Sequence, residues 1–156
     1  MPLFLSPAVR QVWAAARVRR WPEPVVLATF NRFAGDRVAA FAGRVGVRDP
    51  NAFVAFVTEG DECSLTAPES VFSAWRLRGR ALEVVKDLSA LTVDVAMPPD
   101  LVGFFAPAAA RLAAASIPII PQCGYRTDHL LVPRPRAEEA VAVLEALILA
   151  AQKEEA

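Results

Sequence analysis

"DLVGFFAPAAARLAAASIPIIPQCGYRTDHLLVPRPRAEEAVAVLEAL", Asp100 to Leu147, is the stretch whose reading decides the fold. Leu101, Phe104, Phe105, Ala108, Leu112 and Ala115 recur at the spacing of one helical face. Pro107 conflicts with an unbroken helix, because an interior proline costs about 3 kcal/mol. Either the helix kinks there, or it begins near Ala106 after a loop. "IPIIPQC" (Ile117–Cys123) predicts a strand, and its two prolines push it to a sheet edge. "DHLLVP" predicts the next strand. "RAEEAVAVLEALILAAQ" predicts a closing helix, with Glu138 and Glu139 in the first turn, where the helix dipole favours acids. Its buried stripe is Ala137, Ala140, Val141, Leu144, Leu147, Ile148 and Ala151.

Upstream, "SALTVDVAM" (Ser89–Met97) alternates as a strand does. The same order appears once before. "EPVVLATF" (Glu23–Phe30) predicts a strand and "DRVAAFAGRV" (Asp36–Val45) a helix capped by Asp36, with Val38, Phe41 and Val45 inward. Phe53–Thr58 and Cys63–Ala67 predict a hairpin turned by "EGDE". A helix opens the chain in "SPAVRQVWAAARVRRW", where Ser6 caps, Pro7 suits the first turn, and Val9, Val12, Trp13 and Ala16 make a docking stripe. Between the halves, a short helix near Ser70–Trp75 and a strand over Arg76–Val85, broken or bulged at Gly79, are expected.

A β-α-β-β order read twice defines an α+β fold of two ferredoxin-like units, βαββαβ in type, packed together with interchanged strands and an N-terminal helix. The expected division is residues 1–72, a connecting segment or shared strand at 73–88, and residues 89–156. The second unit lacks a fourth strand, and Arg76–Val85 is the best candidate to supply it.

Apolar residues make up 54% of the 156-residue chain, enough for a real core. Residues 1–50 carry eight arginines against three acids, so an anionic partner is conceivable, but no nucleic-acid motif accompanies them and nucleic acid is not expected. Cys63 and Cys123 lack the spacing of a metal or redox motif, and a single histidine leaves a Cys/His zinc site short of ligands. No metal and no cofactor are expected. The start lacks a basic region before its short apolar run, and Arg111, Pro107 and Pro118 interrupt the longest apolar segment. Neither a leader nor a membrane span is expected, and the expected location is the cytoplasm.

The segment Asp100–Leu147 resembles an ACT domain, as found in the tandem ACT-like CASTOR arginine sensors and in aspartate kinase regulatory domains. The resemblance rests on a glycine at the helix start (Gly103), an Ala/Leu-rich helix, and "GYRTDHLLVP" followed by an acidic helix. It implies a non-catalytic regulatory module that binds a small molecule, often an amino acid, between two ACT units, with a homo-oligomer or a regulated protein as partner. The ligand loop falls on Leu101, Val102, Gly103 and Phe104. The turn before the second strand falls on Cys123, Gly124, Tyr125 and Thr127, and the ligand-facing acid on Asp128. The arginine sensors carry a glutamate where Leu101 stands, which argues against arginine and for an apolar or smaller side chain.

The residues themselves leave alternatives. A helix start offers open N–H groups to a carboxylate, and Gly103 allows close approach; equally, Gly103 serves packing alone. Asp128 meets an ammonium group or caps the preceding turn. Adjacent strand residues point to opposite faces, so Asp128 and His129 do not form a catalytic dyad. No catalytic set is visible. A ligand-free ACT-like assembly module is the alternative function.

Overall fold

The computed structural model describes residues 5–75, 77 and 80–153. Two compact units emerge: Trp21–Ala90 is one, and the described residues up to Arg20 join those from Leu91 onward in the other.

In the unit Trp21–Ala90 the strands are β2 (Val25–Asn31), β3 (Ala55–Glu59), β4 (Glu62–Pro68) and the start of β5 (Glu83–Asp94). Helix α2 (Gly35–Arg48) follows β2, and α3 (Glu69–Ala74) follows β4. The spatial order is β3-β4-β2-β5, and each neighbouring pair is antiparallel. This is the split βαββαβ order expected from the sequence. Alternation in β2 sends Val26, Ala28 and Phe30 to one face, where they bury with Cys63, Leu65 and Ala67 of β4 under Val38, Phe41, Ala42 and Val45 of α2. The β3–β4 hairpin turns on Gly60 (φ +35°) and Asp61, with Glu59 opposite Glu62. Asp36 stands in the first turn of α2, not at its cap position, which Ala34 occupies.

The strands expected at Arg76–Val85 and Ser89–Met97 are one, β5, of 12 residues. Lys86, Asp87 and Leu88, which lie between the two expected strands, form a bulge within it. Val25 faces Leu88 while Leu27 faces Val85, so β5 has one extra residue there, and Asp87 adopts φ 57°. The expected break or bulge at Gly79 lies outside the described residues.

The other unit contains α1 (Pro7–Ala15), β1 (Arg17–Arg20), the end of β5, α4 (Ala106–Ala114), β6 (Ile120–Cys123), β7 (Asp128–Pro133) and α5 (Ala137–Lys153). β5 neighbours β7, β7 neighbours β6, and β1 pairs β5 antiparallel, Arg17 opposite Asp94 through Arg20 opposite Leu91. The fourth strand is therefore β1 and not Arg76–Val85. "RVRR" was expected to prolong α1; its one apolar residue, Val18, gives no periodicity, and ladder bonds to β5 decide its state. The helix stops at Ala15, and α1 with β1 lies in this unit rather than in the N-terminal one. The Ser6 hydroxyl accepts from the Val9 N–H at 3.3 Å, the expected cap. β6, with Pro121 in it, ends the strand order as an edge.

The α4 ambiguity resolves in favour of the loop. α4 starts at Ala106, and Pro107 stands in its first turn, where a missing N–H costs nothing. Its end is a Schellman motif: Ile117 N–H donates to the Leu112 carbonyl at 2.9 Å and Ser116 N–H to the Ala113 carbonyl at 2.9 Å. Ser116 takes the left-handed position at φ 55°, and Leu112 and Ile117 are both buried in one cluster. The core gathers Trp13 of α1, Leu91 and Val93 of β5, Leu112 of α4, Leu130 and Val132 of β7, and the α5 stripe.

Candidate functional site: a cleft at the start of helix α4

Residues 95–105 carry the chain from β5 to α4 without regular structure. Two features fix their course. Leu101 N–H donates to the Pro98 carbonyl at 3.1 Å, closing a turn. The Trp13 indole N–H donates to the Phe104 carbonyl at 2.9 Å, and the two rings stack at 4.7 Å with 13° between planes. Gly103, just before this anchor, has φ +84°, a conformation that side chains disfavour. No atom lies within 4 Å of where its Cβ would be. The backbone there faces open space that a ligand can approach.

A cleft of about 490 Å³ opens beside this loop. Its walls come from Met97, Pro98, Leu101, Gly103 and Phe105 on one side and Gly124, Tyr125 and Asp128 on the other. No side chain caps the first turn of α4, Pro107 has no N–H, and Ala109 N–H donates to the Phe105 carbonyl at 3.1 Å, which leaves the N–H groups of Ala106, a residue of the cleft wall, and Ala108 without a helical partner. Asp128 opens β7 and pairs across the ladder with Cys123. Burial pushes the Cys123 thiol up, and a hydrogen bond to the Asp128 carboxylate and its charge push it further the same way. That thiol is the opposite of an activated nucleophile.

His129, one residue on, does not line the cleft. Its Nδ1 lies 2.8 Å from the Thr92 hydroxyl on β5, and its Nε2 lies 3.4 Å from the Thr127 hydroxyl. Burial lowers its pKa most, the Asp128 carboxylate opposes, and the Arg19 guanidinium lowers it further. Gly124 is needed here: a Cβ would meet His129 Nε2 and the Thr127 carbonyl, each at 3.3 Å, while Gly124 N–H donates to that carbonyl at 3.0 Å.

Of the expected ligand residues, Leu101, Gly103, Phe104, Gly124, Tyr125 and Asp128 line one cleft. Val102, Cys123 and Thr127 do not. Phe104 reaches the cleft yet is 3% exposed, because its ring is committed to Trp13. Val102 turns outward, 88% exposed. The apolar wall is therefore Leu101 with Met97 and Phe105. Met97, Pro98 and Pro99 join the expected residues in the wall, and two prolines directly after a strand are the signal of a rigid loop there. Among the described residues, no three His, Cys, Asp or Glu side chains gather as a metal set, and no helix is long and apolar enough to cross a membrane.

Residues 83–146 match the family model of the ACT domain. A Vibrio cholerae protein of unknown function, a possible transport protein, has the same fold at TM-score 0.64 and 18% identity, over 90% of this chain and 96% of its own. The regulatory subunit of Thermus thermophilus aspartate kinase, in its ligand-free form, matches at TM-score 0.59 and 11% identity, over 83% of this chain and 95% of its own. Escherichia coli aspartokinase III, in complex with aspartate and ADP, matches at TM-score 0.61 and 16% identity, over 86% of this chain but only 33% of its own. These identities show the fold alone. No curated protein matches the chain.

Proposed function

We propose that this protein is a non-catalytic regulatory module that binds a small amino acid in the cleft at Gly103 and Asp128. One observation carries the reading: an uncapped helix start, a glycine at φ +84° and a carboxylate line the same cleft. Those are the groups an amino acid needs. Its carboxylate meets the N–H groups at the start of α4, where the helix dipole favours an anion. Its ammonium group meets Asp128. Its side chain lies along Met97, Leu101 and Phe105, which suits an apolar residue better than arginine. The family resemblance adds that the ligand also meets a second ACT-like unit, and that binding shifts the population of one arrangement over another. A cytoplasmic location and a homo-oligomeric or regulated-protein partner belong to the same proposal.

Calorimetric titration with a panel of the twenty amino acids tests it. Saturable binding of a small apolar member, and weaker binding of arginine, is the expected result. No heat from any of them sinks the reading and favours the second one, a ligand-free assembly module. That second reading draws on Val102 and Tyr125, which stand 88% and 86% exposed beside the same loops.

A further inference from the structure

We propose that the cleft beside Trp75, in the unit Trp21–Ala90, is a binding site for a small anion carried on a flat aromatic body. The cleft measures about 320 Å³, at the lower end of small-molecule sites. Phe30, Phe41 and Trp75 give it an aromatic lining, and Arg37, Arg44 and Arg80 stand around them. Trp75 is 45% exposed, which leaves much of a large apolar ring in contact with water. Its orientation is held by the edge of Phe41, with centroids 5.0 Å apart and planes at 70°.

The arginines supply the charge. Arg37 and Arg44 are two turns apart on α2 and so share a face. The Arg44 guanidinium carbon lies 5.9 Å from the Trp75 ring centroid, within cation–π range. Arg80 follows α3 and is fixed by a turn, its N–H donating to the Leu77 carbonyl at 2.9 Å. Among the described residues, none of these three guanidinium groups has a carboxylate partner; the ion pairs of this unit use Arg32 and Lys86. Three like charges around one cleft repel one another, and an anion relieves that repulsion. A guanidinium fork matches a carboxylate or phosphate in two hydrogen bonds, while its plane and the indole face accept a flat ring. The site uses no residue of the cleft at Gly103 and does not depend on the reading of that cleft.

The probe is 2-naphthoate, with uncharged 2-naphthamide as its control, titrated by calorimetry into the full chain. Indole N–H resonances are followed in parallel, and Trp75 is assigned through Trp75→Phe. Naphthoate is expected to bind with one-to-one stoichiometry and to move the Trp75 resonance. Arg44→Gln and Arg80→Gln should each weaken it roughly tenfold, the loss of one charge-assisted hydrogen bond. Arg111→Gln, on α4, should leave it unchanged. Equal affinity for naphthoate and naphthamide, indifference to both cleft variants, or no binding up to the solubility limit would each overturn the proposal. All of these side chains except Trp75 are exposed arginines, so the variants are expected to fold, and unchanged thermal unfolding verifies that.

Discussion

Trp13 holds the loop before α4 by its Phe104: the indole N–H donates to the Phe104 carbonyl at 2.9 Å, and the two rings stack at 4.7 Å. The N-terminal helix is thus a working part of the unit that the chain's other end forms. Trp13→Phe keeps most of the packing but leaves a buried carbonyl without its donor, a cost of about 1–3 kcal/mol. Trp13→Ala adds a cavity and should cost about 3–5 kcal/mol. Urea unfolding measures both. A Trp13→Ala loss below about 1 kcal/mol would contradict the anchoring role.

Gly103→Ala separates backbone strain from packing. Its φ of +84° penalises any Cβ, yet no atom lies within 4 Å to clash with one. The expected loss is about 1–2 kcal/mol, from strain alone. Gly124→Ala should behave differently, because its Cβ meets His129 and Thr127 at 3.3 Å. A crystal structure of that variant should show His129 displaced.

Ser116 gives a prediction of the opposite sign. It occupies the left-handed position of the α4 Schellman motif at φ 55°, where glycine is favoured. Ser116→Gly should therefore stabilise the unit by up to about 1 kcal/mol. Thermal unfolding would detect the rise; a fall would mean that the Ser116 side chain contributes more than its strain costs.

The single histidine allows a clean pH experiment. Burial holds the folded-state pKa of His129 below the ordinary imidazole value of about 6.5. The unfolded chain then binds the proton first as pH falls. The contribution of neutral His129 is fully present above about pH 6.5 and is lost as pH falls from there through the folded-state pKa. His129→Gln should flatten that part of the stability profile and leave the carboxylate region below it in place. An unchanged slope between about pH 6.5 and 5 would show that His129 is not protected from protonation.

Most of the fold was legible because its signals are local. The α5 stripe, the β3–β4 turn and the β7 run each carry their own periodicity or turn chemistry. Pro107 narrowed α4 to a kinked helix or one that starts near Ala106, and the second is the one observed. What was not legible is decided by partners distant in sequence. Nothing within Arg17–Arg20 says strand; the ladder with Leu91–Asp94 says it. Arg76–Val85 and Ser89–Met97 read as two strands because the bulge at Asp87 places Lys86 and Asp87 inside one long strand. At the candidate site, Gly103, Tyr125 and Asp128 could be named from the family pattern. The fate of Phe104 could not, because its partner is Trp13, ninety-one residues away.

The central claim is that Asp128 meets the ammonium group of an amino acid, and one double comparison tests it most directly. The tightest-binding amino acid and its N-acetyl derivative are each titrated into the native protein and into Asp128→Asn. The account predicts that Asp128→Asn weakens the free amino acid by roughly tenfold or more, the loss of a charge-assisted contact. It further predicts that the N-acetyl derivative, which has no ammonium group, binds both proteins weakly and alike. Equal affinity of the free amino acid for the two proteins, or an equal loss for both ligands, would contradict it.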